Sequence, residues 1–123
     1  MKKDEKKTEQ PVCALDYAFK RIGGKHKARI LWYIAKSDNV LRYGEIKKKI
    51  GSITPKMLTQ TLRELEEDKL INRKVYTVVP PKVEYSLTDT GKELIPFLGH
   101  LAKWAVKELE KENHPLFKNY TAE

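Results

Sequence analysis

A mainly α-helical domain carrying a small β-hairpin, an α+β arrangement, is the fold class predicted by this sequence, and three observations within residues 53–91 predict it. Leu58, Leu62 and Leu65 recur at helical spacing just after Thr54-Pro55, a hydroxyl N-cap followed by a proline whose missing N–H costs nothing at the first helical position. Two β-rich runs, Val75–Val79 and Val83–Leu87, flank Pro80-Pro81, where absent backbone donors confine the chain to a bend. A second hydroxyl cap, Thr88, then opens a long helix with an apolar stripe. Helix, hairpin and helix in that order are the layout of a winged helix-turn-helix.

The elements follow in chain order. Residues 1–10 read as a disordered mixed-charge tail, and residues 11–112 as the folded domain. From Cys13 to Ile22, Leu15, Ala18, Phe19 and Ile22 fall at i, i+3, i+4 and i+7, one face of a short helix ended by Gly23-Gly24. A second helix over about 25–36 turns Ile30, Leu31 and Ile34 inward. Ser37-Asp38-Asn39 is a turn, and Val40-Leu41 adds a brief extended segment. A third helix over about 43–50 buries Ile46 and Ile50, leaves Lys47, Lys48 and Lys49 outside, and stops at Gly51. The fourth, the candidate recognition helix, spans about 55–68, and the wing about 71–87. The last helix, about 89–112, carries Leu94, Phe97, Leu98, Leu101, Trp104 and Ala105, with Pro96 expected to kink or divide it. Residues 113–123 read as a loose tail.

Composition limits the function. A chain of 123 residues with 40% hydrophobic and 34% charged residues suits one charge-rich globular domain. No apolar run approaches the ~20 residues needed to cross a bilayer, and the basic N-terminus has no apolar segment after it to make an export signal. A single cysteine forms no internal disulfide, no Cys/His spacing suits zinc, and no metal or cofactor is expected. Cys13, His26, His100 and His114 are scattered with no base and orienter between them, so an enzyme is not expected; the expected location is cytoplasmic.

The net charge of +8 is unevenly placed. Residues 20–36 hold six Lys/Arg and no acid, and residues 42–82 hold ten bases against five acids. Bases therefore concentrate in the half that carries the helix-turn-helix, as a phosphate-contacting surface requires. Double-stranded DNA is the partner this predicts. With the three leucines inward, Lys56, Thr59, Gln60 and Arg63 point outward and Met57 lies at the margin. Gln pairs in two-pronged fashion with adenine, Arg or Lys with guanine, and Thr touches a thymine methyl or a phosphate. Phosphate contacts are expected from Arg42 and Tyr43, from Ser52 and Thr54 at the turn, and from Lys74, Tyr76 and Lys82 on the wing. Lys82 is also expected at the wing tip, within reach of the minor groove.

Three segments together resemble the HxlR-type branch of winged-helix bacterial transcription regulators, related to the MarR group: ALDYAFKRIGGKHKARILWYI, RYGEIKKKIGSITPKMLTQTLRELEEDKLINRKVY and VPPKVEYSLTDTGKELIPFLGHLAKW. The likeness covers roughly residues 13–105. Its most specific pieces are Ile-Gly-Gly-Lys at 22–25, Pro-Lys-Met-Leu-Thr at 55–59 and Pro-Pro-Lys-Val-Glu-Tyr-Ser-Leu-Thr at 80–88. The resemblance implies a homodimeric DNA-binding repressor or activator, paired through its first and last helices. Independently, residues 91–112 hold four Lys and four Glu beside a long apolar stripe, more than a domain of this size readily encloses. Leu15, Phe19, Phe97, Leu98, Leu101 and Trp104 are the expected dimer contacts. The family's N-terminal cysteine, which in several members senses oxidants or electrophiles, corresponds to Cys13, expected in the first turn of a helix whose dipole favours thiolate. Two positions depart from the family pattern: His26 replaces the usual Trp after Gly-Gly-Lys, and Ala14 replaces the Pro after the cysteine. A winged-helix protein-interaction module and a nonspecific chromosomal DNA-binding protein share the same fold-level features. No effector ligand is identifiable from the sequence.

Overall fold

The computed structural model describes residues 12–113, so the tails expected at 1–10 and beyond Asn113 lie outside the described residues. Among the described residues, five helices and three short strands follow one another: α1 Ala14–Ile22, α2 Lys27–Ala35, β1 Val40–Arg42, α3 Tyr43–Ile50, α4 Pro55–Glu67, β2 Ile71–Tyr76, β3 Lys82–Leu87 and α5 Asp89–Lys111. The sheet is antiparallel with β3 in the middle, in the order β1-β3-β2. The fold is a winged helix.

Helix α2 is the hub. Its Ile30, Leu31 and Ile34 are fully buried among Ile46 and Ile50 of α3, Leu58, Leu62 and Leu65 of α4, Leu41, Ile71, Tyr85 and Leu87 of the sheet, and Leu98 of α5. The leucine stripe of α4 faces this core as its spacing predicts, and Thr54 caps the helix by accepting the Met57 N–H at 3.1 Å. Thr61 joins the buried face by donating its hydroxyl to the Met57 carbonyl at 2.7 Å, which removes the cost of an unpaired polar group.

The connection from α4 to β2 is a Schellman turn: the Leu70 N–H returns to the Leu65 carbonyl and the Lys69 N–H to the Glu66 carbonyl. Lys69 takes the left-handed conformation, φ 61°, that glycine usually fills. Helix α5 starts against this same turn. Thr88 donates its hydroxyl to the Lys69 carbonyl at 2.7 Å and its N–H to the Leu70 carbonyl at 3.1 Å. A Cβ at Gly91 would run into the Leu70 carbonyl, so only glycine allows this approach.

Two expectations are corrected. The first wing strand starts with the expected wing at Ile71 but does not extend through Val79: its ladder runs from Ile71 opposite Leu87 to Tyr76 opposite Lys82, and Thr77–Pro81 form the turn. The valines near the bend have β propensity but no strand to pair with, because Pro80 and Pro81 offer no N–H. Pro96 does not divide α5, which continues as one helix of 23 residues. The bond it omits is to the Lys92 carbonyl, and both residues are exposed, so water can satisfy the freed group. The second helix is also shorter than expected, beginning at Lys27 and ending at Ala35.

Candidate nucleic-acid interface

With Leu58, Leu62 and Leu65 fixed inward, helix geometry presents Lys56, Met57, Gln60 and Arg63 of α4 to solvent, while Thr59 is half-buried at the margin. Tyr43, at the start of α3, extends its hydroxyl to the Pro55 carbonyl at 3.3 Å and to Thr59 Oγ1 at 3.4 Å. The phenol expected on a phosphate thus braces the first turn of α4 from the preceding helix. Ser52 and Thr54 are exposed in the turn between the two helices. Arg42, also exposed, precedes α3, and its backbone N–H donates to Glu45 Oε1 at 2.8 Å, which closes that helix start. Among the described residues, Arg42, Lys48, Lys49, Lys56 and Arg63 take part in no salt bridge. Their charge remains available to an external anion.

On the wing, strand alternation puts Lys74, Tyr76, Lys82 and Glu84 on one face. The ammonium groups of Lys74 and Lys82 sit 4.8 and 4.3 Å from the Tyr76 ring centroid, and the Tyr76 hydroxyl donates to Glu84 Oε1 at 2.8 Å. Lys82 also lies 3.9 Å from Glu84 Oε2. This corrects its expected place: it leans back along the strand onto Tyr76 and is not a cationic probe at the tip. Between the last ladder residues the tip holds only Thr77, Val78, Val79, Pro80 and Pro81, with Val79 99% exposed.

Three residues at or beside this surface escape the sequence reading. Arg73 lies opposite Tyr85 on the face of the sheet turned toward α4, and lines with Tyr43, Thr59 and Arg63 a groove of about 420 Å³. Alternation from Ile71 was the signal that could have placed it there. The other two are Lys27 and Glu64. Gln60 Nε2 donates to Glu64 Oε2 at 3.3 Å, and Glu64 Oε1 pairs with Lys27 Nζ at 3.2 Å. These bonds, that from Gln60 first and that from Lys27 second, hold the Glu64 carboxyl below its ordinary pKa.

The expected dimer contacts separate into two groups. Leu15 and Phe19 on α1, and Phe97, Leu101 and Trp104 on α5, are 47–65% exposed in the single chain. Leu98 is only 6% exposed because it faces α2 and completes the chain's own core, so it is not free to meet a second copy. Beside these residues, α2 and α5 enclose an apolar groove of about 270 Å³ lined by Ala28, Trp32, Tyr33, Leu101 and Ala105. Cys13 is exposed at the N-cap position of α1, just before its first turn, and its side chain makes no capping hydrogen bond. His26, where the family pattern has Trp, is half-buried with its Nδ1 unpartnered; burial above all, then Lys25 and Arg29, lowers its pKa and keeps the ring neutral at neutral pH. Among the described residues, no helix is long and apolar enough to cross a membrane, and no three His, Cys, Asp or Glu side chains gather to hold a metal.

Comparison with known proteins agrees with this architecture. Residues 21–113 match the HxlR-like helix-turn-helix family. An uncharacterized HTH-type transcriptional regulator of Methanothermobacter thermautotrophicus is 46% identical over 101 residues, covering 82% of this chain and 76% of that one. The redox regulator HypR in its oxidized form superposes with a TM-score of 0.70 at 41% identity, over 75% of this chain and 93% of that chain. The reduced transcriptional regulator YodB from B. subtilis gives a TM-score of 0.66 at 31% identity, over 77% of this chain and 92% of that one. The relatives are transcriptional regulators and not enzymes, and the chain belongs to the HxlR-like helix-turn-helix family of such regulators.

Proposed function

We propose that the chain binds double-stranded DNA as a homodimer on a pseudo-palindromic operator, with α4 of each protomer in a major groove. The single observation that carries this reading is the outer face of α4: Lys56, Gln60 and Arg63 stand exposed on a helix otherwise anchored by three buried leucines. Gln60 reads adenine, Lys56 and Arg63 read guanine, and Met57 with the methyl of Thr59 offers apolar contact to thymine. Arg42, Ser52, Thr54, Lys74, Tyr76 and Lys82, joined by Arg73, set the register on phosphates, while Tyr43 acts mainly by holding α4. Two-fold symmetry then places the half-sites about 10 base pairs, or a multiple, apart.

Selection of sites from randomised duplexes tests this reading. Gln60→Ala is expected to relax preference at one position in each half-site, by roughly 1–3 kcal/mol per contact, and to leave the others intact. An unchanged base preference would remove α4 from the groove.

A second reading concerns Cys13, and its exposure on α1 together with the likeness to HypR and YodB supports it. A disulfide or adduct at Cys13, beside Leu15 and Phe19, would alter how two protomers pair and hence the separation of their α4 helices. Diamide treatment is expected to change operator affinity in the parent and not in Cys13→Ser. Equal responses in both would dismiss a sensing role.

A further inference from the structure

The pair formed by Lys27 and Glu64 stands behind Gln60 and has no evident part in holding the core. Glu64 is one turn beyond Gln60 on α4, and Lys27 opens α2 in a different part of the sequence. Lys27 is well covered, its side chain 15% exposed, and it also donates to the Lys20 carbonyl at 3.2 Å, so its ammonium is fixed from two sides. A carboxylate paired with an ammonium is ionised and can only accept hydrogen bonds. Gln60 must therefore turn its NH₂ toward Glu64, and the alternative in which the amide is flipped would set oxygen against oxygen.

The choice of amide orientation has a consequence for reading DNA. A primary amide carries two N–H bonds, one beside its own oxygen and one pointing back toward the side-chain stem. Glu64, sitting at the helix end of the side chain, can accept the rearward hydrogen. That leaves Oε1 and the forward hydrogen side by side, the acceptor–donor pair that matches N6–H and N7 of adenine. Guanine shows two acceptors, O6 and N7, on the same edge, and a Gln free to rotate could serve it by its NH₂ alone. We propose that Glu64, clamped by Lys27, is a positioning residue that fixes the Gln60 amide in the orientation selecting adenine over guanine. This rests on Gln60 reading a base, as set out above. The lowered Glu64 pKa agrees with it, since the carboxylate stays ionised throughout the neutral range.

The experiment measures affinities for duplexes selected by the parent protein in which the position read by Gln60 is varied through all four bases. The proteins compared are the parent, Gln60→Ala, Glu64→Ala, Lys27→Met and Lys27→Arg. Glu64→Ala and Lys27→Met are expected to lower the adenine-over-guanine ratio roughly tenfold, within the range one two-pronged contact supplies. Lys27→Arg, which keeps the charge, should restore most of it. Affinity for unrelated DNA should not fall in Glu64→Ala, because an acid has been removed from a polyanion-binding surface. If Gln60→Ala abolishes the adenine preference while Glu64→Ala keeps the parental ratio, the positioning role is overturned and base reading stands. A uniform loss of affinity over all four bases in Glu64→Ala, with the ratio preserved, overturns it equally. If Gln60→Ala itself leaves the preference unchanged, both the base-reading assignment and the positioning role fall.

Discussion

Replacing Leu101 and Trp104 together by Glu is expected to leave the chain folded, to make it monomeric, and to weaken its binding to a two-half-site duplex by roughly 10²–10⁴-fold. The two side chains are 47% and 61% exposed in the isolated protomer, so charging them removes little from its own core. Surface changes of this kind usually stay within about 0.5 kcal/mol. Across a protomer boundary the effect is different, because each new carboxylate would be buried against Phe97, Leu15 or Phe19 without a partner. Once the protomers separate, each half-site must be bound independently, and the gain from tethering two α4 helices disappears. Sedimentation equilibrium and gel shifts on the same samples measure both effects. A double variant that stayed dimeric with parental affinity would remove α5 from the dimer boundary. Leu98→Glu is the control for the opposite behaviour: its side chain lies in the protomer core, and its expected result is unfolding.

Raising salt from 50 to 200 mM should lower operator affinity by about 10³-fold or more, the fall that goes with six to ten neutralised phosphates. Arg42, Arg73 and Lys74, assigned to phosphates, have no salt-bridge partner among the described residues. If these three reach phosphates in each protomer, the dimer makes about six such contacts and enters that range. A winged helix that docked a protein partner through the same face would show a shallow dependence, because its contacts would release few counterions. Titrations at several salt concentrations give the slope, and a slope near zero would exclude a phosphate-dominated interface.

What the sequence disclosed follows from how local each determinant is. Thr54, Pro55 and the leucines of α4 lie within a dozen residues, and their capping and spacing set that helix with little help from the rest of the chain. The sequence alone does not show that Leu98 faces inward, because a long amphipathic helix shows how wide its apolar stripe is without showing which neighbour covers each edge. Here α2 covers one edge and the other lies bare. The position of Lys82 depends on pairing register, which fixes where each strand begins relative to its partner, whereas the face of Arg73 follows from alternation once Ile71 is known to start the strand. Gln60 was legible as an outward polar residue. Its link through Glu64 to Lys27 was not, because no periodicity connects α2 with α4.

The short turn at Asp68–Leu70 has a mechanical meaning. The last carbonyls of α4 close onto it, and Thr88 and Gly91 rivet the first turn of α5 to two of its residues, Lys69 and Leu70. In the proposed dimer, the helix assigned to the duplex and the helix assigned to the sister protomer would therefore meet at one hinge pin with no slack chain between them. A tilt of α5 in such a dimer would reach α4 through this turn before any other part of the chain. In a two-fold assembly, such gearing makes the distance between the two inserted helices a property of how the protomers are seated.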